Sequence, residues 1–361
     1  MAGEKTSEIR TWLLDEIKRG AFDRDAPLPG DLELAERFKV SRGTVRSALA
    51  DLQRQGVIER RRGAGTFLSE RGTRKSGVIG LLMPELDAAG FFKDVGDAFV
   101  RCSRRCGYSV AIEKASARRP DEIAREMRRI ARMLAVRPVE GVVFRPLIRE
   151  DYSAINREVV KIFARAQTPV VLFDSDVGDR LSRSACDLVS VNNVDAGRRI
   201  AEYLIGKGRR HIVFVMTDCV AGPNVNCADR FFGLAGESVV RGLRDGVRSV
   251  GFEPEDRSAI RKLLASAWRP DAFVCGNDEV AVRLLTSLKG LGVRVPEQIA
   301  VVGFDDIACA RASVPPLTTV RQPSAAIAKT LLRTLLTRIR DPESDPREVY
   351  LEAPLICRGT A

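Results

Sequence analysis

Val40-Ser41-Arg42-Gly43-Thr44-Val45-Arg46-Ser47-Ala48-Leu49 reads as a helix that opens on its own cap. A short hydroxyl such as that of Ser41 can take one of the backbone N–H groups that the first turn leaves without a helical partner. Val45, Ala48, Leu49 and Leu52 recur at spacings of three and four, so they share one face and bury it. The opposite face carries Arg42, Arg46 and Ser47. Arg42 and Arg46 are one turn apart and point outward together, while Ser41 and Thr44 set hydroxyls beside the free N–H groups of the helix start, where an anion is welcome. One apolar and one basic face of this kind suit a helix that rests on a small core and enters a DNA major groove.

The flanks supply that core. Upstream, Ile9, Leu13 and Ile17, with Trp12 and Leu14, form a helical stripe ending at Gly20, and the breaker run Asp25–Gly30 follows. A short helix is expected from Asp31 to Phe38, with Leu32, Leu34 and Ala35 turned inward. Downstream, Val57-Ile58 and Thr66-Phe67-Leu68 read as two short strands around the tip Arg61-Arg62-Gly63-Ala64-Gly65, whose glycines let a backbone approach closely. Helix, helix, helix, hairpin is the order of a winged helix-turn-helix. The segments Leu28–Arg46 and Gly56–Phe67 resemble the winged-helix head of the GntR family, without a gap over about 65 residues. That resemblance implies operator-DNA contacts from Ser41, Arg42, Gly43, Thr44, Arg46, Arg62 and Gly63. Singly, each arginine is better explained as part of a solvated helix face or a basic turn; the shared order and spacing favour DNA. Leu32 departs from the family, which often has arginine there.

From Gly77 the texture changes. Val78–Met83, Ser109–Glu113, Gly141–Phe144, Val170–Phe173, Leu188–Val191, Ile212–Met216, Ala272–Cys275 and Ile299–Phe304 are short apolar runs. Amphipathic helical segments lie between most of them: Asp94–Arg105, Asp121–Val136, Ala196–Lys207, Ala259–Ala267 and Asn277–Leu291. Buried strands alternating with helices imply parallel sheets covered on both faces, and about eight strands in so long a stretch imply two α/β lobes. Ligands of such sheets sit beyond the carboxyl ends of the strands. Four segments, Ile79–Pro84, Thr168–Asp174, Gly276–Ala281 and Val295–Asp306, with the ending Pro315–Pro323, resemble the ligand-binding domain of the LacI family and its periplasmic sugar-binding relatives.

By that resemblance a cleft is lined by Asp174, Arg230, Asn277, Asp305 and Gln322, whose carboxylates, amides and guanidinium can serve a hydroxyl-rich ligand. Phe91 and Phe92 resemble an aromatic pair that stacks on a sugar ring. Packing at a helix start for the two phenylalanines, capping or lobe-bridging for Asp174 and Asp305, and a surface position for Arg230 are the competing roles. Ser175, Asn192 and the stretch Thr217–Cys227 depart from the family, so the effector is expected to be a sugar or polyol of open identity.

The expected organisation is a winged helix-turn-helix at 1–69, a polar linker at 70–76, and a two-lobed periplasmic-binding-protein-like α/β domain at 77–361 that binds effector and dimerises. Charge alone is a weak guide: the chain carries +11, of which residues 1–76 hold +4, from 16 Lys/Arg against 12 Asp/Glu. The eight cysteines include no CxxC pair, and Cys102 and Cys106, four apart, have no second pair to complete a metal site. His211 is the only histidine; no Ser-His-Asp set can be built around it, and neither a P-loop nor GxGxxG is present. No catalytic residue, metal or cofactor is expected. No signal peptide or membrane span is read, which favours a reduced cytoplasmic protein. The expectation is a ligand-responsive, homodimeric regulator, with operator DNA and a small-molecule effector as partners and repression as its mode. An enzyme and a sugar-uptake binding protein are the alternatives.

Overall fold

The computed structural model describes residues 2–18, 21–23, 26–54, 57–61, 64–68, 76–84, 90–115, 119–148, 152–178, 183–217 and 225–361. It comprises two compact units, Met1–Val78 with Val136–Glu140, and the remainder of the chain.

The first unit contains α1 (Ala2–Lys18), α2 (Asp31–Phe38), α3 (Arg42–Arg54), β1 (Ile58–Arg61) and β2 (Gly65–Leu68). The two strands are antiparallel, with Ile58 opposite Leu68 and Arg61 opposite Gly65. Lys39 takes a left-handed conformation that closes α2 and turns the chain into α3. Ile9, Leu13, Leu28, Leu34, Ala35, Val45, Ala48, Leu49, Leu52, Ile58 and Leu68 form one core. Leu32 corrects the reading above: it is 56% exposed, while Leu34 and Ala35 are buried. Helix positions i and i+2 are roughly 200° apart, so Leu32 and Leu34 cannot share the inward stripe. Arg62 and Gly63 of the expected tip, and residues 70–75 of the expected linker, lie outside the described residues.

In the larger unit, β3 (Val78–Leu82), α4 (Phe91–Arg105), β4 (Ser109–Glu113), α5 (Pro120–Val136), β5 (Val142–Phe144), α6 (Ser153–Arg165), β6 (Val170–Phe173) and β7 (Asp187–Val191) come first. Then follow α7 (Asn193–Gly206), β8 (Ile212–Met216), α8 (Val225–Val240), β9 (Val247–Gly251), α9 (Arg257–Leu264), β10 (Ala272–Cys275), α10 (Asp278–Gly290), β11 (Ala300–Asp305), α11 (Ala308–Ala312) and β12 (Thr318–Arg321). α12 (Ser324–Arg340), β13 (Glu348–Leu351) and β14 (Leu355–Ile356) end the chain. Two six-stranded sheets result, ordered β13-β7-β6-β5-β3-β4 and β14-β12-β11-β10-β8-β9. In the second sheet only β14 runs antiparallel to its neighbour.

Each sheet is the core of one lobe, and the chain passes between lobes after Val191, Arg321 and Leu351. Among the described residues the eight expected strands are present, with four more: β9, β12, β13 and β14. β9 and β13 are edge strands whose partly exposed, mixed sequences give no apolar run. β12 is buried but rich in threonine; Thr319 hides its hydroxyl by donating to Asp278 at 2.5 Å.

α7 and α8 cross with backbone against backbone. A Cβ at Gly197 would lie 2.0 Å from the Arg230 carbonyl oxygen, and one at Gly233 would lie 1.9 Å from that of Val194. Only glycine tolerates such an approach, and it seats the α8 turn bearing Arg230 on the second lobe.

Candidate functional sites

On α3, the Ser41 hydroxyl accepts the Thr44 N–H at 3.2 Å and lies 3.0 Å from the Thr44 hydroxyl. The expected cap is formed, and both hydroxyls sit at the helix start. Arg42, Gly43, Arg46 and Ser47 are exposed, while Val45, Ala48, Leu49 and Leu52 are buried beneath them. The five expected DNA contacts within 41–46 therefore cluster at the start of α3, with Arg42 and Arg46 one turn apart on its exposed side. Asp31 and Arg60 also meet this face: Arg46 Nε donates to one oxygen of Asp31 at 2.9 Å, and a terminal nitrogen of Arg60 donates to the other at 3.3 Å. Arg61 pairs with Glu59 at 2.8 Å and lies over the Phe67 ring.

In the larger unit the candidate cleft is built at the carboxyl ends of β5, β6, β10, β11 and β12. From the first lobe, Arg145 follows β5 and is 1% exposed. Its guanidinium stacks over Phe92, 3.6 Å from the ring centroid, and its Nε is 3.5 Å from the Asp174 carboxylate. Asp174 follows β6 with φ 76°, its carbonyl held by the Ser190 hydroxyl at 2.8 Å. Phe92 is half-buried against Phe173, whereas Phe91 is part of the core. Phe91 thus has the packing role, and Phe92 is the ring beside the polar groups.

The second lobe repeats the pattern. Arg230 is buried and stacks over Phe304 at 3.4 Å; its Nε donates to Asn193 at 2.8 Å and a terminal nitrogen to the Gly276 carbonyl at 2.6 Å. Asp305 ends β11 with φ 117° and accepts the Gln322 amide at 2.7 Å. Burial pushes its carboxyl up to about 7, against the pull of Arg230 and Gln322, with Asp278 and Asp174 adding to the rise. Asp174 and Arg230 are thus both within electrostatic range of Asp305, each from its own element. Asn277 spends its carbonyl capping α10, accepting the Val280 N–H at 2.9 Å, and keeps its amide nitrogen. Asp278 is fully buried, takes the Ile307 N–H at 2.9 Å, and is pushed up to about 6, mainly by burial.

Asp306, also with positive φ, is held by Arg321 at 2.6 Å and by Arg358. These two arginines keep its carboxyl below the ordinary range although burial opposes them. Two consecutive non-glycine residues in this region cost about 1–3 kcal/mol each, and the ion pairs offset that cost just where Asp305 is presented. Sequence reasoning missed Arg145, Asn193 and Asp306. Arg145 had a readable signal: a lone arginine directly after a strand of three apolar residues. His211 Nδ1 donates to the Arg269 carbonyl at 3.0 Å and its ring packs against Trp268, a structural setting. Among the described residues no group of three or more metal-ligating side chains converges, and no helix is long and apolar enough to cross a membrane.

Residues 5–68 match the bacterial regulatory proteins of the gntR family, and residues 201–361 match the periplasmic binding protein-like domain. The arabinose metabolism transcriptional repressor of Geobacillus stearothermophilus is 25% identical over 366 residues, spanning 98% of this chain and 95% of that protein. The transcriptional repressor PurR of Vibrio vulnificus is 29% identical over 277 residues, 75% of this chain and 77% of its own. In solved structures, the regulator CelR in complex with cellobiose superposes with TM-score 0.67 at 22% identity, covering 92% of this chain and all of that one, a likeness of fold.

Head, sensor and relatives define a DNA-binding transcription regulator with a separate ligand-binding domain. In this chain the head is of the gntR type and the sensor is periplasmic-binding-protein-like, and the match to the arabinose repressor runs through both.

Proposed function

We propose that this protein is a cytoplasmic, homodimeric repressor whose winged helix holds operator DNA and whose cleft binds a sugar or polyol. The proposed boundaries are 1–69 for the head, 70–76 for the linker and 77–361 for the sensor. Ser41, Arg42, Gly43, Thr44 and Arg46 meet DNA, with Arg62 and Gly63 at the wing. Phe92, Asp174, Arg230, Asn277, Asp305 and Gln322 meet the effector, with Phe91 packing behind Phe92. The observation that supports this reading most is the paired arrangement of the cleft: an arginine stacked on phenylalanine beside a strained aspartate in each lobe. Donors and acceptors fixed on apolar faces are what a hydroxylated ring requires once it leaves water. Effector closes or rotates the lobes, alters the spacing of two heads, and so changes operator affinity. The chain is read as a regulator and not as an enzyme.

A thermal-shift screen of sugars and polyols, with L-arabinose and cellobiose among them, tests the cleft. A ligand at about 100 times its Kd adds about 2.7 kcal/mol to the folded state. Wild type is expected to gain about 5 °C at such saturation, a shift that Asp305→Ala abolishes. No shift with any member of the panel contradicts the sugar or polyol assignment.

A further inference from the structure

We propose that Asp31 sets base choice in the head by clamping Arg46 and Arg60 on one carboxylate. The proposal rests on the reading that this face of the head meets DNA. Asp31 is the first residue of α2, and its side chain is one-fifth exposed. It takes Arg46 from α3 on one oxygen and Arg60 from β1 on the other. Helix, recognition helix and wing strand are thereby tied at a single group.

Two consequences follow from the atoms used. Arg46 is 62% exposed and would otherwise sweep many rotamers. With Nε donating to Asp31, the terminal nitrogens are the pair left to meet DNA. A guanine edge, O6 and N7, takes two parallel donors and suits that terminal fork, whereas a phosphate accepts from any edge of a guanidinium. The second consequence concerns charge. A carboxylate on a surface that faces phosphates weakens general attraction, so its position is better suited to choosing a base than to holding a backbone. Asp31 is a positioning residue: it acts through Arg46 and Arg60.

The test is selection by full-length protein from a duplex pool with a randomised centre, followed by titration of the enriched and unselected pools. Wild type is expected to enrich a two-half-site motif with a guanine at one position of each half. Asp31→Asn loses about tenfold of the discrimination at that guanine, the range expected when a bidentate contact is loosened. It also binds the unselected pool more tightly, and Asp31→Glu restores the preference. Arg60→Gln, which removes one arm of the clamp, gives a smaller loss. An Asp31→Asn protein that melts like wild type and selects the same motif with the same guanine preference overturns the proposal. Loss of folding in Asp31→Asn leaves Arg60→Gln to decide, and an unchanged guanine preference there overturns it equally. A wild type that enriches no sequence overturns the DNA-reading assignment itself, a different failure.

Discussion

Gly197→Ala puts the fold and the cleft to the same trial. The added carbon would sit 2.0 Å from the Arg230 carbonyl oxygen and 2.9 Å from both the Arg230 carbonyl carbon and the Leu234 nitrogen. These are backbone atoms, so no rotamer change relieves the clash, and α7 and α8 must separate by about 1.5 Å to reach ordinary packing. Overpacking of this kind costs typically about 1–3 kcal/mol, and backbone partners place it at the upper end. In a domain of this size that corresponds to a melting point lowered by about 5 °C. The same displacement carries Arg230 away from Asn193 and Gly276, which fix its guanidinium at 2.8 and 2.6 Å, so effector affinity falls as well. Gly236→Ala is the internal control: it lies on α8, the helix that carries Arg230, no atom comes within 4 Å of its added carbon, and helix propensity favours alanine by about 1 kcal/mol. Differential scanning fluorimetry with and without effector reads both variants. If Gly197→Ala melts and responds like Gly236→Ala, the close helix crossing does not position Arg230 and the reasoning is wrong.

Three further outcomes are expected. Arg145→Met removes the guanidinium 3.5 Å from the buried Asp174 carboxylate and is expected to destabilise the sensor by about 3 kcal/mol in a denaturant titration, a loss that Arg145→Met with Asp174→Asn partly recovers; equal stability of single variant and wild type refutes it. Effector affinity should rise with pH. The Asp305 carboxyl of the free protein is raised to about 7, hydroxyl donors from the effector favour its ionised form, and so the complex holds fewer protons than the free protein below that value. Calorimetry near pH 6 should record proton release on binding and affinity should level off above about pH 8, whereas Asp305→Asn should bind without proton release. Arg46→Ala should abolish operator binding in a gel-shift titration and keep the effector-induced thermal shift, while Asp305→Ala should do the reverse; loss of both by either variant contradicts separate sites.

Much of this was legible in the residues because local rules and tertiary packing agree. Val45, Ala48, Leu49 and Leu52 announce the buried face of α3, and Ser41 its cap, since both depend on neighbours within two turns. Leu32 shows the limit: hydrophobicity suggests burial, but its angular place on α2 sends it outward. Edge strands such as Glu348–Leu351 are specified by pairing with distant strands, and their own composition says little. In the cleft, Asp174, Arg230, Asp305 and Gln322 could be nominated by resemblance, yet the links among them join separate strands. The Arg145–Phe92 stack and the Arg230–Asn193 bond are set by strand order and helix crossing, which periodicity does not encode. Nor does the sequence disclose that Asn277 is already engaged as a helix cap.

The central claim is that effector in the cleft controls DNA affinity of the head, and linkage supplies its most direct measurement. Operator affinity by fluorescence anisotropy is measured with and without saturating effector, and effector affinity with and without saturating operator, all at one salt concentration. Thermodynamic reciprocity requires the two ratios to be equal, and an allosteric regulator of this type is expected to show a ratio of at least about fivefold. Effector that binds the sensor and leaves operator affinity unchanged would contradict the account.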